Sequence, residues 1–151
     1  EMCIRDRCAI CSSRIKNGKP PLIFEDDLQT RDFINVRDIV QANLLAMDKR
    51  NANYEVFNVG TGSPISIREV AETLIRLYNS KLNPEITNKY RAGDIRHCFA
   101  DISKIKRKLG FRPEISFDEG MKELVTWAAR AEAMDLFDKA HEELVSRGLV
   151  E

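Results

Sequence analysis

The segment from Ser66 to Tyr78 combines a capping box with an unbroken helical period. Ser66 and Glu69 have the spacing at which a serine and a glutamate satisfy the first free amide groups of a helix. Apolar residues then follow at i, i+3, i+4, i+7, i+8 and i+11, namely Ile67, Val70, Ala71, Leu74, Ile75 and Tyr78. Such a helix buries one face, so the rest of the chain has to supply a core for it. The 151 residues, of which 43% are hydrophobic, suffice for one globular domain and hardly for two.

The remaining segments predict an α/β fold. Further helices are predicted over 8–16, 39–47 and 102–109, and from Ser116, which forms a second capping box with Glu119. Short strands are predicted at 22–24, 32–36, 55–59, 85–88 and 97–100. The turn at Asp26-Asp27 predicts that the first two strands pair as a hairpin. Helix 39–47 is apolar around most of its circumference, as is typical of a helix buried on all sides.

The charge balance excludes several classes of partner. The 24 Lys and Arg residues offset 24 Asp and Glu residues, so no excess of positive charge is available for nucleic acid or an anionic membrane. No apolar run approaches the roughly 18 residues of a bilayer span, and the amino terminus lacks the apolar core of a secretory signal. Four cysteines are too few for a disulfide-rich secreted scaffold. We therefore expect a cytoplasmic protein with no nucleic-acid or membrane partner.

Two short motifs suggest cofactor or redox chemistry, and each has a structural alternative that we favour. Gly60-Thr61-Gly62 follows a predicted strand, as in dinucleotide-binding loops, but Ile65 stands at the third glycine position. A turn with glycines at positive φ is favoured. Cys8 and Cys11 have a redox or zinc-like spacing, with only His97, Cys98 and His141 as further ligands. Buried thiols on a helix are favoured.

Two arginines and one acidic run are candidate binding residues. Arg31 follows the first turn, and Arg91 lies in a loop beside Gly93, where a backbone can approach a ligand closely. Two guanidinium groups that converge can clamp a diphosphate, because the planar fork matches phosphate oxygens. The alternative is that each arginine is a surface charge. The acids at 25–27 could bind a metal, but solvated acids in a turn are favoured.

The first seven residues match no element that follows. The string Glu1-Met2-Cys3-Ile4-Arg5-Asp6-Arg7 resembles a translated transposase-adapter sequence from DNA library preparation. We expect residues 1–7 to be an artefact of sequencing and the natural chain to begin near Cys8. The alternative is a genuine short terminus without regular structure.

Four segments, in order and at fitting distances, carry a family resemblance. The first is Gln29 to Asp38, which contains Arg31-Asp32-Phe33, and the second is Phe57 to Gly62. The third is Arg91-Ala92-Gly93-Asp94, which leads to Ala100 to Lys104. The fourth is Leu109-Gly110-Phe111 with Pro113 and the helix from Glu119 to Trp127. From about Cys8 to Ala128 the chain resembles the C-terminal half of the extended short-chain dehydrogenases/reductases. These are NAD-dependent nucleotide-sugar epimerases and dehydratases, and the match is to the UDP-glucose 4-epimerase type.

The resemblance implies a fold, a cofactor and a set of substrate contacts. The fold is the α/β substrate-binding portion of the enzyme. The absent N-terminal Rossmann half would hold most of the NAD and supply the catalytic Tyr-x-x-x-Lys pair, so we assign no catalytic residue in this chain. In the family, the residues matching Arg31 and Arg91 contact the nucleotide diphosphate, the residue matching Asp94 contacts the ribose, and the one matching Phe33 flanks the nucleotide. Asp27 replaces the usual glycine of the turn, which predicts a strained positive φ.

The predicted protein is thus a truncated 4-epimerase of a UDP- or dTDP-hexose, an isomerase of carbohydrate metabolism. Residues 8–130 are predicted to form the nucleotide-sugar-binding portion and residues 131–151 a helical tail. A dehydratase or decarboxylase of the same family is the first alternative, and a non-catalytic binding or dimerisation module is the second. The fragment alone is expected to be inactive, and a homodimer is compatible with the full-length enzyme.

Overall fold

The computed structural model describes residues 7–89, 94–130, 142–143 and 145–148. Residues 1–6, Arg91 and nearly all of the predicted tail 131–151 lie outside the described residues. The chain divides into two units, the first comprising Glu1–Gln29, Ser66–Arg96 and Met121–Glu151, and the second Thr30–Ile65 and His97–Gly120. None of the described helices is long and apolar enough to cross a membrane.

The described residues form five helices and five short strands that are interspersed along the chain, as predicted for an α/β fold. The helices are α1 (Arg7–Lys16), α2 (Val36–Asp48), α3 (Ile67–Leu77), α4 (Ser103–Leu109) and α5 (Phe117–Ala129). The strands are β1 (Leu22–Ile23), β2 (Thr30–Arg31), β3 (Ile65–Ser66), β4 (Glu85–Ile86) and β5 (His97–Cys98). A 3₁₀ turn, Arg50–Ala52, follows α2.

The first unit is built around α3. The Ser66 hydroxyl accepts a hydrogen bond from the Glu69 amide at 3.1 Å, so the predicted capping box is confirmed. The apolar stripe of α3 is buried, and α1 packs against this helix. Strand β1 pairs in parallel with β4, with Leu22 opposite Glu85. The period of the sequence therefore correctly identified the helix face that forms this core.

The second unit has a separate core. Its buried residues are Ala42, Ile102, Ile105, Leu109 and Phe111. Gly110 ends α4 in the left-handed region at φ 68°, and its amide donates to the Lys106 carbonyl, which turns Phe111 inward. A three-stranded sheet in the order β3-β2-β5 accompanies this core, and β2 and β5 are parallel with Arg31 opposite Cys98. Because β2 is the central strand, the residues at its end are held on both sides.

Four sequence predictions about the strands and α2 are wrong. Strand β1 pairs with β4, and β2 pairs with β3 and β5, so the predicted hairpin does not form. The second strand lies at Thr30–Arg31 and not at 32–36. Residues 55–59 are not a strand, because no described residue offers them a backbone ladder. Helix α2 buries only Asp38 and Ala42, so it is covered on one face and not all round.

Candidate functional site

Arg31 is held at the end of the central strand of the second unit. It is 2% exposed, and its Nη1 donates to the Thr30 carbonyl at 2.8 Å. On the neighbouring strand, Nδ1 of His97 lies 2.9 Å from the Thr30 hydroxyl. An arginine side chain is seldom so deeply buried unless its N–H groups form hydrogen bonds. The surrounding protein, and not solvent, therefore fixes the position of Arg31.

Asp32, the next residue, anchors this segment to the glycine turn. Its carboxylate accepts hydrogen bonds from the Thr61 amide at 2.9 Å, the Thr61 hydroxyl at 2.6 Å, the Gly62 amide at 3.0 Å and the Ala100 amide at 3.2 Å. Burial raises the pKa of Asp32, but these hydrogen bonds outweigh it and hold the pKa below its ordinary value. Asp32 is therefore an ionised anchor between Arg31 and Phe33.

The two glycines of the turn are required for different physical reasons. A Cβ on Gly60 would lie 2.4 Å from Oδ2 of Asp32 and 2.7 Å from Cβ of Ala100, so this position has no room for a side chain. Gly62 has φ 76°, a conformation that glycine adopts without steric cost. The predicted positive φ is thus confirmed at Gly62, whereas Gly60 is needed for the close approach of Asp32.

The Gly60-Thr61-Gly62 turn does not fit NAD. A dinucleotide loop binds pyrophosphate through free backbone amides. Here the amides of Thr61 and Gly62 already donate to Asp32, and its negative charge occupies the place of an anion. The amides of the turn bind the Asp32 side chain of the protein itself. The turn therefore resembles a dinucleotide motif only superficially.

Phe33 lines a pocket of about 340 Å³ in the same unit. Its ring lies 5.8 Å from that of Phe117 at 57°, a tilted aromatic pair. The buried carboxylate of Asp38 accepts from the amides of Glu114 at 2.9 Å and Ile115 at 3.3 Å and so holds the opposite wall. The lining residues are Phe33, Thr61, Ser63, Ile65, Pro113, Glu114, Ile115, Ser116 and Phe117. Aromatic walls with hydroxyl groups suit a flat, partly polar ligand.

The structure describes three of the four residues predicted for the substrate site. Arg31 and Phe33 flank Asp32 on one segment of the second unit. Asp94 belongs to the first unit, where its carboxylate accepts from Nη2 of Arg7 at 2.7 Å. Arg91 lies outside the described residues, so its convergence with Arg31 stays a prediction.

The acidic run at 25–27 is engaged by arginines. Asp27 is buried and forms an ion pair with Arg68, whose Nε donates to its carboxylate at 2.6 Å. Glu25 and Asp26 pair with Arg96 at 3.2 and 2.5 Å. The prediction of solvated acids is therefore wrong for Asp27. Its φ of 69° confirms the predicted positive φ, but the strained hairpin expected there does not form. No cluster of metal ligands occurs among the described residues.

The cysteine pair lies on α1, as predicted. Cys11 is buried and Cys8 is half-buried, and both thiols are free. Burial raises the pKa of Cys8 to about 11 and, with a smaller effect of Cys8 itself, that of Cys11 to about 12. Thiols that stay protonated are poor nucleophiles and metal ligands, which supports a packing role.

Sequence reasoning missed the two aspartates that organise the site. Asp32 lies inside the Arg31-Asp32-Phe33 motif. The glycine at position 60, which contacts Asp32 in the folded chain, was a signal that could have indicated the importance of this aspartate. Asp38 lies in the first turn of α2, and its carboxylate holds the 114–115 backbone. Nothing local in the sequence indicates that contact, because its partners are more than 70 residues away.

Comparison with known proteins identifies the family. The family model described as GDP-mannose 4,6 dehydratase matches residues 5–124. The chain belongs to this family. It is 40% identical over 115 residues, 76% of its length and 35% of the relative, to a UDP-glucuronate 4-epimerase from Thermodesulfobacterium geofontis. The matched region contains the Asp32 anchor and the walls of the Phe33 pocket.

Two solved structures, one of a 4-epimerase and one of a 4,6-dehydratase, share the fold. The UDP-glucose 4-epimerase of Thermotoga maritima, determined with UDP-glucose, matches with a TM-score of 0.74 and 36% identity over 82% of this chain and 39% of that chain. The dTDP-glucose 4,6-dehydratase of Bacillus anthracis, determined with NAD, matches with a TM-score of 0.74 and 25% identity over 85% of this chain and 40% of that chain. The fold is thus the C-terminal portion of an extended short-chain dehydrogenase/reductase. The chain spans little more than a third of these relatives.

The stability of this family member is expected to depend on pH through Asp32. Its folded pKa is lowered, so its stabilising contribution is present above the unfolded pKa of about 3.9 and is lost as the pH falls through the folded value. The difference in unfolding free energy between wild type and Asp32→Asn should be constant from about pH 5 to 7 and shrink below about pH 4. Urea unfolding at a series of pH values measures it.

Other carboxyl groups do not disturb this comparison. The pKa values of Asp26, Glu55 and Asp101 are also lowered, mainly by hydrogen bonds, but these groups are present in both proteins and cancel in the difference. A difference that stays the same at about pH 3 would show that Asp32 has the same pKa in the folded and unfolded states, and would contradict the lowered folded pKa.

Proposed function

We propose that this chain is the substrate-binding portion of a nucleotide-sugar 4-epimerase acting on a UDP- or dTDP-hexose. The observation that carries the proposal is the anchored segment around Asp32, which holds Arg31 buried and Phe33 at a pocket wall within the region matched by the family. The named functions of relatives support the same substrate class, since they include epimerases of UDP-glucuronate and UDP-glucose.

In this proposal each predicted residue has a separate role toward the nucleotide. Arg31 and Arg91 bind the diphosphate, Asp94 binds the ribose, and Phe33 flanks the nucleotide. A guanidinium bound to phosphate forms charge-assisted hydrogen bonds, each worth roughly 1.5 to 3 kcal/mol. NAD and the catalytic Tyr-x-x-x-Lys pair come from a portion of the enzyme that this chain does not contain. The chain by itself binds and does not catalyse.

Arg31→Ala tests the proposal in a chimera. Residues 8–124 of this chain, which lie within the segment matched by the family model, replace the matched third of the Thermodesulfobacterium geofontis relative. Binding of UDP-glucose, UDP-glucuronate and dTDP-glucose is then measured by calorimetry. Arg31→Ala should weaken binding of the preferred ligand about tenfold or more, because one charge-assisted contact is lost, while the NAD content stays unchanged.

Arg107→Ala is the control for this variant. Arg107 is an exposed arginine of α4 in the same unit, so its removal changes the net charge equally without touching the proposed contact. Equal losses in the two variants would point to a general charge effect. Unchanged affinity in Arg31→Ala would overturn the assignment of Arg31 to the diphosphate.

A dehydratase is the second candidate function. The dTDP-glucose 4,6-dehydratase of Bacillus anthracis matches the fold with the same TM-score as the epimerase from Thermotoga maritima. The two reactions differ in acid and base groups that we assign to the missing portion. Reading the genomic DNA upstream of Cys8 and assaying the completed enzyme with a panel of nucleotide sugars separates them. A 4-epimer as product supports the first proposal, and a 4-keto-6-deoxy sugar supports the second. A start codon in the genomic DNA directly upstream of the Cys8 codon would instead favour a non-catalytic module.

A further inference from the structure

Arg96 lies two residues after Asp94 and forms a forked contact with the turn at Glu25-Asp26. Its Nη1 donates to the Glu25 carboxylate at 3.2 Å, and its Nη2 donates to the Asp26 carboxylate at 2.5 Å. A planar guanidinium that donates to two carboxylates is fixed in direction as well as in distance. The hydrogen bond from Arg96 also holds the pKa of Asp26 below its ordinary value, so both partners are charged at neutral pH.

The same turn is bonded to the chain on the other side of Arg91. The Glu25 amide donates to the Lys89 carbonyl at 2.8 Å. Lys89 and Arg96 therefore both attach to this turn. Arg91 and Asp94 lie between these two attachment points in the sequence. The attachment points thus bracket two of the residues that are proposed to bind the nucleotide.

The turn is itself fixed to the start of α3. The buried carboxylate of Asp27 forms an ion pair with Arg68, whose Nε donates to it at 2.6 Å. Two residues later, the Gln29 carbonyl accepts a hydrogen bond from the Ile67 amide at 2.9 Å. Because the buried face of α3 forms the core of this unit, displacement of the turn would disturb that core. The turn is therefore a fixed part of the fold to which a neighbouring segment can be tied.

We propose that Arg96 is a positioning residue, which holds the segment with Arg91 and Asp94 in place for the nucleotide sugar. The Arg96 side chain is 46% exposed, and an exposed ion pair adds little to the stability of the fold. Its main effect is therefore expected on the position of the segment. A displacement of roughly 1 Å is enough to weaken a hydrogen bond to phosphate strongly. The inference rests on the proposed function, in which Arg91 and Asp94 contact the nucleotide.

A pure charge effect is the alternative explanation, and it predicts the opposite sign in one variant. Removal of Arg96 weakens binding of an anionic diphosphate under both explanations. Removal of its two acidic partners, in Glu25→Ala/Asp26→Asn, should strengthen binding if charge alone matters, because less negative charge repels the diphosphate. The same change should weaken binding if position matters, because Arg96 then loses its attachment to the turn.

Nucleotide-sugar affinity in the chimera with the Thermodesulfobacterium geofontis relative tests the proposal. Arg96→Ala and Glu25→Ala/Asp26→Asn should each weaken binding at least about fivefold by calorimetry, with unchanged NAD content. The midpoint of thermal unfolding should shift by less than about 4 °C. An asparagine at position 26 can still accept from the Leu28 amide, as Asp26 does at 3.3 Å, so the turn is retained. Arg96→Lys keeps the charge and loses the fork, so its affinity should lie between those of Arg96→Ala and wild type.

Arg107→Ala is the matched control, since Arg107 is an exposed arginine of α4 in the other unit. Its removal changes the net charge equally and should leave the affinity unchanged. An equal loss in Arg107→Ala overturns the proposal, as does a gain of affinity in Glu25→Ala/Asp26→Asn. A loss confined to Arg96→Ala also overturns it, because Arg96 would then act on the ligand by its own contact or charge.

Amide hydrogen exchange at Glu25 separates this proposal from the proposed function. The Glu25 amide donates to Lys89, so Arg96→Ala in the 151-residue chain should raise its exchange rate at least about tenfold. Faster exchange, together with a wild-type chimera that binds no nucleotide sugar, supports the attachment and counts against the proposed function. Binding by the wild-type chimera, with exchange at Glu25 unchanged in Arg96→Ala, does the reverse.

Discussion

Phe111→Ala is expected to lower the free energy of unfolding by about 3 to 5 kcal/mol. Phe111 is fully buried, and it completes the cluster formed by Ala42, Ile102, Ile105 and Leu109. Removing its ring takes away the transfer free energy of a large apolar group and leaves a cavity that α4 cannot fill without moving. The change should appear in urea unfolding followed by circular dichroism, as a lower midpoint with a similar slope.

Phe99→Ala is the control for the cavity effect. Phe99 belongs to the same unit but is 54% exposed, so its replacement should cost less than about 1 kcal/mol. Equal losses in the two variants would contradict the assignment of Phe111 to the core, since they would follow the residue type and not its burial.

Gly60→Ala is expected to destabilise the folded state by about 2 to 4 kcal/mol. The new Cβ would lie 2.4 Å from Oδ2 of Asp32, and the Ala100 Cβ at 2.7 Å blocks movement in the other direction. Asp32 therefore has to leave its place, and the hydrogen bonds from Thr61, Gly62 and Ala100 break. Differential scanning calorimetry measures the loss. In the chimera, nucleotide-sugar binding should fall with it, because Arg31 and Phe33 flank the displaced residue.

Gly120→Ala separates this close approach from a general effect of glycine replacement. Gly120 lies in α5, and the nearest atom to an added Cβ is Nδ2 of the Asn35 side chain at 3.3 Å. A side-chain amide can shift by a few tenths of an ångström, and alanine favours the helix by up to about 1 kcal/mol. The variant should be as stable as wild type or slightly more stable. A loss equal to that of Gly60→Ala would contradict the role of the Asp32 contact.

Predictions that depend on residues within one helical turn of each other were reliable. The capping boxes at Ser66 and Ser116 form as predicted, with the Ser116 amide donating to Glu119 at 3.0 Å, and Gly110 ends α4. These features depend on residues three or four positions apart, so the sequence contains both partners and their spacing. The hairpin prediction failed for the opposite reason, since it inferred strand pairing from a turn alone.

The sequence predicted residues of the candidate site but not the hydrogen bonds that hold them in place. Arg31 was proposed both from its position after a turn and from the family resemblance, whereas Phe33 was proposed from the resemblance alone, and the family match supports that resemblance. Their anchor, Asp32, was not recognised because its partners at Thr61 and Ala100 lie 29 and 68 residues away. The spacing of Gly60-Thr61-Gly62 indicated only a turn or a dinucleotide loop. The structure shows that an aspartate fills the turn.

The amino-acid sequence by itself determined the bounds of α1, α3 and α4 to within one residue and the face of α3 that is buried, because hydrophobic period and capping act over a few residues. Only the tertiary structure decided which strands pair, which aspartates hold the Phe33 pocket and which face of α2 remains uncovered. Those outcomes depend on groups distant in the chain competing for the same hydrogen bonds and the same buried volume, and no local pattern records which of them meet.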